Sequence, residues 1–254
     1  MSPGLRLLFI VLAVVTLGAV APGPEVPKPE ITDLGQGRYR VGPVEIDKTQ
    51  NRFTVPGHVL RDEPPLEFLA VAKGGRKGYE AMIELDATAF EFNLACILIG
   101  LDGDRATGRP AFHFDPHAID GDGVAIEVSW GAGDSRQTRP GAALLIDGDK
   151  PVADDWVYTG SEFTNNGAYL AHIDGTLIGL VHDPASVIEH RAGLGINTYG
   201  SIKAAEGAPK SQTQVVLSVQ RLTTEHAEPT DDRERPSPAP QEGSADEGDK
   251  PTAP

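Results

Sequence analysis

Glycine and proline interrupt this chain so often that no long helix can survive in it. Its 29 glycines and 21 prolines make up about a fifth of the 254 residues, and in a helix interior each glycine costs roughly 1 kcal/mol and each proline roughly 3. What remains possible is a set of short elements joined by turns. Between the turns, apolar residues alternate with polar ones: Val44 and Ile46, then Phe53 and Val55, then Leu66, Phe68, Ala70 and Ala72. A period of two over four to seven residues is the pattern of half-buried strands. The same signal returns over residues 124–130, 142–146, 155–160, 168–173, 176–182 and 214–222.

Two places look like hairpins. The glycine- and cation-rich stretch 73–78 separates the strand ending at Ala72 from a second one over 79–85, and Asp174-Gly175 separates 168–173 from 176–182. Both are turn chemistry that joins antiparallel neighbours. One segment has helical spacing instead. Thr88 with Glu91 three residues on opens a capping box, and Phe90, Leu94, Ile97, Leu98 and Leu101 recur at helical intervals. Phe92, Cys96 and Ile99 give this helix, about 88–101, a second apolar side, which predicts burial between layers. A short second helix is expected at about 185–190. The fold class read from these elements is α+β: a mostly antiparallel sheet with one buried central helix.

The two ends differ from the middle. Residues 1–21 carry a single cation, Arg6, then an uncharged apolar run over 7–18, then Ala19-Val20-Ala21, the three-part layout of a secretory signal. Pro22 disfavours cleavage there, so an uncleaved anchor is the rival reading; the uncharged stretch 7–24 falls slightly short of the roughly 20 residues that span a bilayer. Residues 22–37 are expected to be a proline-rich linker, and 38–224 a single domain. Residues 225–254 hold nine acids against three bases, six prolines and no large aliphatic or aromatic side chain, so a disordered acidic tail is expected. The whole chain has a net charge of −15, which argues against holding a nucleic-acid backbone. Its single cysteine, Cys96, rules out an internal disulfide.

In that order of elements the chain resembles the YdjY-like domain family of bacterial exported proteins of unknown function. The resemblance is carried by Leu66-Glu67-Phe68 before Gly74-Gly75, by Lys77 and Tyr79-Glu80, and by Ile99-Gly100-Leu101. It continues through Trp130, the segment 156–161, and Asp174-Gly175 leading into Leu177-Ile178. It runs from about Val44 to Val219 and implies no assigned activity. The iron–sulfur chemistry associated with one member needs clustered cysteines, and with Cys96 alone no cluster is expected.

Two constellations could carry chemistry. His113, Asp115, His117, Asp120 and Asp122 put two imidazoles and three carboxylates within ten residues, a donor set that suits a divalent metal. Asp120 to Gly123 also reads as ordinary turn chemistry before a strand. Lys77, Tyr79 and Glu80 flank the Gly74-Gly75 turn, where a backbone could approach a ligand beside an acid–base pair; the alternative is that Glu80 simply pairs with Lys77. Ser161 lacks the strand-to-helix setting of an activated nucleophile. The expectation is therefore an extracytoplasmic, non-enzymatic module that binds a protein partner or a small ligand. A metal-dependent or acid–base enzyme using 113–122 or 74–80 is the alternative, and the membrane is involved only through an uncleaved N-terminal segment. Residues 1–30 fused to a reporter that matures only outside the cytoplasm should give activity, and a silent fusion would refute export.

Overall fold

The computed structural model describes residues 29–223 apart from Asn197; the expected signal or anchor and the acidic tail lie outside the described residues. Eight strands close into a barrel. They are β4 (Arg52–Val59), β15 (Gln214–Arg221), β7 (Gly123–Trp130), β11 (Trp156–Tyr158), β13 (Ile188–His190), β12 (Thr176–Gly179), β5 (Phe68–Ala72) and β6 (Ala81–Leu85), with β6 returning to β4. Strands β1 (Ile31–Gly35), β2 (Arg38–Val41) and β3 (Val44–Asp47) extend the sheet from β4, and β8 (Gln137–Pro140) pairs β7. Strand β1 thus lies inside the stretch expected to be linker. A separate small sheet joins β10 (Lys150–Pro151), β9 (Leu145–Asp147) and β14 (Ile202–Ala204).

Period-two patterning produces the first three barrel strands directly. In β15, Val215, Leu217 and Val219 are buried between exposed Val216 and Gln220, and β4 and β7 alternate in the same way. Their inward rows meet in one core with Trp156, Met82, Ile83 and Leu85. An eight-stranded barrel is just wide enough for such side chains to fill.

The expected α+β layout with a buried central helix is overturned by this closure. α1 (Ala89–Leu98) lies against β2, β3 and β12, reaches β4 through Phe92 and β11 through Asn93, and is not a layer between sheets. Its capping box forms as the sequence predicts. The second apolar side, Phe92, Cys96 and Ile99, is buried together with Ala89 and Ala95, Phe92 meeting the Phe53 ring edge-on at 5.3 Å, whereas Ile97 of the first apolar series is 52% exposed. Cys96 is fully buried, and burial pushes its thiol pKa well up.

Neither expected hairpin exists. Strands β5 and β6 run parallel, Phe68 opposite Ala81 and Ala72 opposite Leu85, so residues 73–80 travel back along the outside of β5. On the other segment, Leu170–Asp174 form a short helix, α2, and Gly175 ends it at φ 77°. A left-handed glycine serves a helix C-terminus as well as a hairpin turn, and here the helix takes it. Gly175 also sits against Gly75, where an added Cβ would stand 2.4 Å from the Gly75 Cα. The expected helix at 185–190 is instead the approach to β13, which pairs parallel with β12 and antiparallel with β11.

Phe92→Ala should lower unfolding stability by about 3–5 kcal/mol, as expected for deleting a fully buried aromatic. Leu98→Ala, at a partly covered position, should cost less than about 2 kcal/mol. Denaturant melts of the two variants check this, and equal losses would contradict one-sided burial of α1.

Candidate functional site

The return segment 73–80 brings together residues that the sequence kept in two groups. Its last turn, Gly78–Glu80, presents Lys77 and Glu80 to each other at 2.8 Å, with Glu80 buried. Lys77 lies 5.8 Å from the Phe68 ring centroid, and the His113 ring stacks on Phe68 at 6.4 Å. The glycines at 74 and 75 serve chain packing: Gly74 N–H donates to Glu84 Oε2 at 2.9 Å, and Gly75 meets Gly175. Tyr79 is 61% exposed.

His113 is held on both sides of its ring. Nδ1 donates to Asp183 Oδ2 at 2.9 Å and Nε2 to Glu67 Oε2 at 3.0 Å. The bonds to Asp183 and Glu67 outweigh burial and push its pKa up to about 9. Burial opposes ionisation of Asp183, but His113 and the Ala185 N–H hold that carboxyl below its ordinary value. Behind it, Glu189 accepts the Asp183 N–H at 2.9 Å, and burial pushes its carboxyl pKa well up. Glu67, Lys77, Glu80, His113 and Asp183 therefore form one charged clamp joining four segments.

The other members of the 113–122 set go elsewhere. Asp115 accepts from the Ala111 N–H at 3.0 Å and from His117 Nδ1 at 2.6 Å, which draw its pKa down to about 2. Asp120 pairs Arg191 at 2.7 Å, and Asp122 accepts from the Asp102 N–H and from Arg105. Among the described residues, no group of three or more His, Cys, Asp or Glu side chains is arranged to hold a metal ion. At His113 the reason is geometric, since its two carboxylates occupy opposite ring nitrogens.

A solvent-open cleft of about 680 Å³ lies elsewhere, and nothing local in the sequence marks it. Its floor is Leu101 and Tyr158, its apolar rim Ile97 and Phe163, and its polar rim Asp102, Asp104 and Glu162. Arg109 fastens the two walls, donating to Ser161 O at 3.0 Å and to Gly103 O. Ser161 adopts φ 61°; its Oγ donates to Ala185 O at 2.9 Å and accepts from the Ala171 N–H at 3.2 Å. Thr159 Oγ1 donates to Ser186 O at 3.0 Å, Tyr158 to Asn93 Oδ1 at 2.7 Å and Tyr169 to Gly160 O at 3.0 Å. The sequence marks 156–161 as part of the family resemblance and gives Ser161 no setting for an activated nucleophile. Sequence reasoning missed Arg109, Glu67 and Asp183 as partners because they meet their targets across 46 to 70 residues of chain.

A histidine whose pKa rises from 6.5 to about 9 on folding stabilises the fold fully below pH 6.5 and loses that contribution as pH climbs through 9. The melting temperature of the wild type should therefore fall between pH 6.5 and 9 relative to that of His113→Gln. Parallel curves for the two proteins would show that the bridge adds no stability.

A family model described as the YdjY domain matches residues 44–220. No curated protein and no solved structure shows a significant match to the chain. The match runs from β3 almost to the end of β15 and so takes in the barrel, the clamp and the cleft, and the chain belongs to the YdjY domain family.

Proposed function

We propose that this chain is an exported, non-catalytic binding module whose recognition surface is the cleft between α1 and residues 156–163. The observation that carries this reading is the division of labour among the cleft's side chains. The guanidinium and hydroxyl groups of Arg109, Tyr158, Thr159 and Ser161 are committed to fastening the walls, while Ile97 and Phe163 stand 52% and 65% exposed on the rim. A concave surface with pre-formed walls and uncovered apolar side chains suits recognition. Export rests on Arg6, the apolar run 7–18 and Ala19-Val20-Ala21. Among the described residues no helix is long and apolar enough to cross a membrane.

An acid–base enzyme at the clamp has less support. With a pKa of about 9, His113 is protonated at neutral pH and both its nitrogens are bonded, so it has no lone pair to take a proton. The Lys77 ammonium is raised by its bond to Glu80 even against the effect of burial, which keeps it charged as well.

Backbone amide resonances of the isotope-labelled chain, followed while a fragment library is titrated, test the reading. Bound fragments should shift resonances of 101–109 and 158–163. Shifts confined to 67–80, 113–117 and 183 would move the recognition surface to the clamp and overturn the proposal.

A further inference from the structure

The cleft's charges are unevenly matched, and the mismatch points to the chemistry of what lies in it. Asp102 is engaged locally, accepting from the Asp104 N–H at 3.0 Å and standing 3.6 Å from Arg105. Both terminal nitrogens of Arg109 are spent on the carbonyls of Ser161 and Gly103. The carboxylates of Asp104 and Glu162 have no hydrogen-bond or ion-pair partner among the described residues, and both residues line the same cleft as the exposed Ile97 and Phe163. An inorganic cation would leave that apolar rim in water. A neutral apolar ligand would strip water from two carboxylates and return nothing. The group that satisfies both walls carries a positive charge beside an apolar body.

We propose that the cleft binds a peptide segment in which a large apolar side chain is flanked by lysine or arginine. This rests on the cleft being the recognition surface, as argued above. A peptide fits better than a small amine because the cleft is open along its solvent side. A small ligand gains most where it is enclosed, whereas an extended chain laid along an open groove covers both rims at once. The net charge of −15 draws cationic segments toward the protein before contact.

The full chain, titrated against dye-labelled tetrapeptides and followed by fluorescence anisotropy, tests this. The probes are Arg-Leu-Trp-Arg and its counterparts with glutamine or glutamate at both ends, with hexylamine as an unlabelled competitor. The arginine peptide should bind saturably, more weakly as salt rises, and the glutamate peptide should not bind. Asp104→Asn with Glu162→Gln should weaken the arginine peptide roughly fivefold to thirtyfold, the effect of losing two rim charges. Phe163→Ser should weaken it too, and if that variant melts early, Ile97→Ser supplies the same readout. Equal binding of the arginine and glutamine peptides, both lost in Phe163→Ser, would overturn the charge assignment and leave the cleft as an apolar recognition surface. Hexylamine competing as well as unlabelled peptide would overturn the peptide assignment. Binding insensitive to every rim substitution, or no binding by any probe, would overturn the proposal; fragment shifts that also avoid the cleft would remove the recognition surface itself.

Discussion

The seam where β6 comes back to β4 governs the rest of the molecule. At that seam Gly57 faces Leu85, and an added Cβ would stand 2.3 Å from the Glu84 carbonyl oxygen, so only a glycine lets the two backbones approach. Once the seam closes, eight strands turn one face inward and their side chains complete the core together. The helix sets one face on that core, Phe92 on Phe53 of β4 and Asn93 on Tyr158 of β11, and leaves the other beside the cleft. The uncovered apolar rim at Ile97 is a direct result.

The clamp and the cleft share a loop. Residues 183–187 supply Asp183 to His113 on one side, and on the other they offer the carbonyls of Ala185 and Ser186 to Ser161 and Thr159. The wall of the cleft is therefore fastened to the same short stretch of backbone that the charged cluster holds. Neutralising His113 and filling the cleft act on one piece of chain, and the two regions are mechanically continuous although they are chemically distinct.

Much of the fold could be read locally. Alternation at Phe53 and Val55 and over 124–130 and 214–222 marks true strands, the first of them running on to Val59, and Thr88 with Glu91 marks a true helix start, because these signals depend on neighbours within a few residues. Direction of pairing was illegible: the glycines of 73–78 look the same in a hairpin and in a segment that doubles back for a parallel partner. Asp174-Gly175 misled for a related reason, since a left-handed glycine ends helices as well as hairpins. The apolar circumference of α1 was seen correctly but interpreted as burial, because no local feature tells a covered face from one beside a cleft. Of the candidate site residues, Lys77 with Glu80 could be paired from sequence. The union of that pair with His113 depends on Phe68, Glu67 and Asp183, which only the closed barrel brings near.

The single thiol has a consequence for the life of the molecule. Cys96 lies at zero exposure on the inner side of α1, with its ionised form disfavoured by burial, and thiolate is the form that attacks disulfides and oxidants. A folded copy therefore keeps its one thiol away from its surroundings, whereas a copy that has opened around α1 exposes it. In an oxidising environment covalent pairs of this chain would record past unfolding, and the fraction cross-linked would measure how often the barrel had let go of its helix.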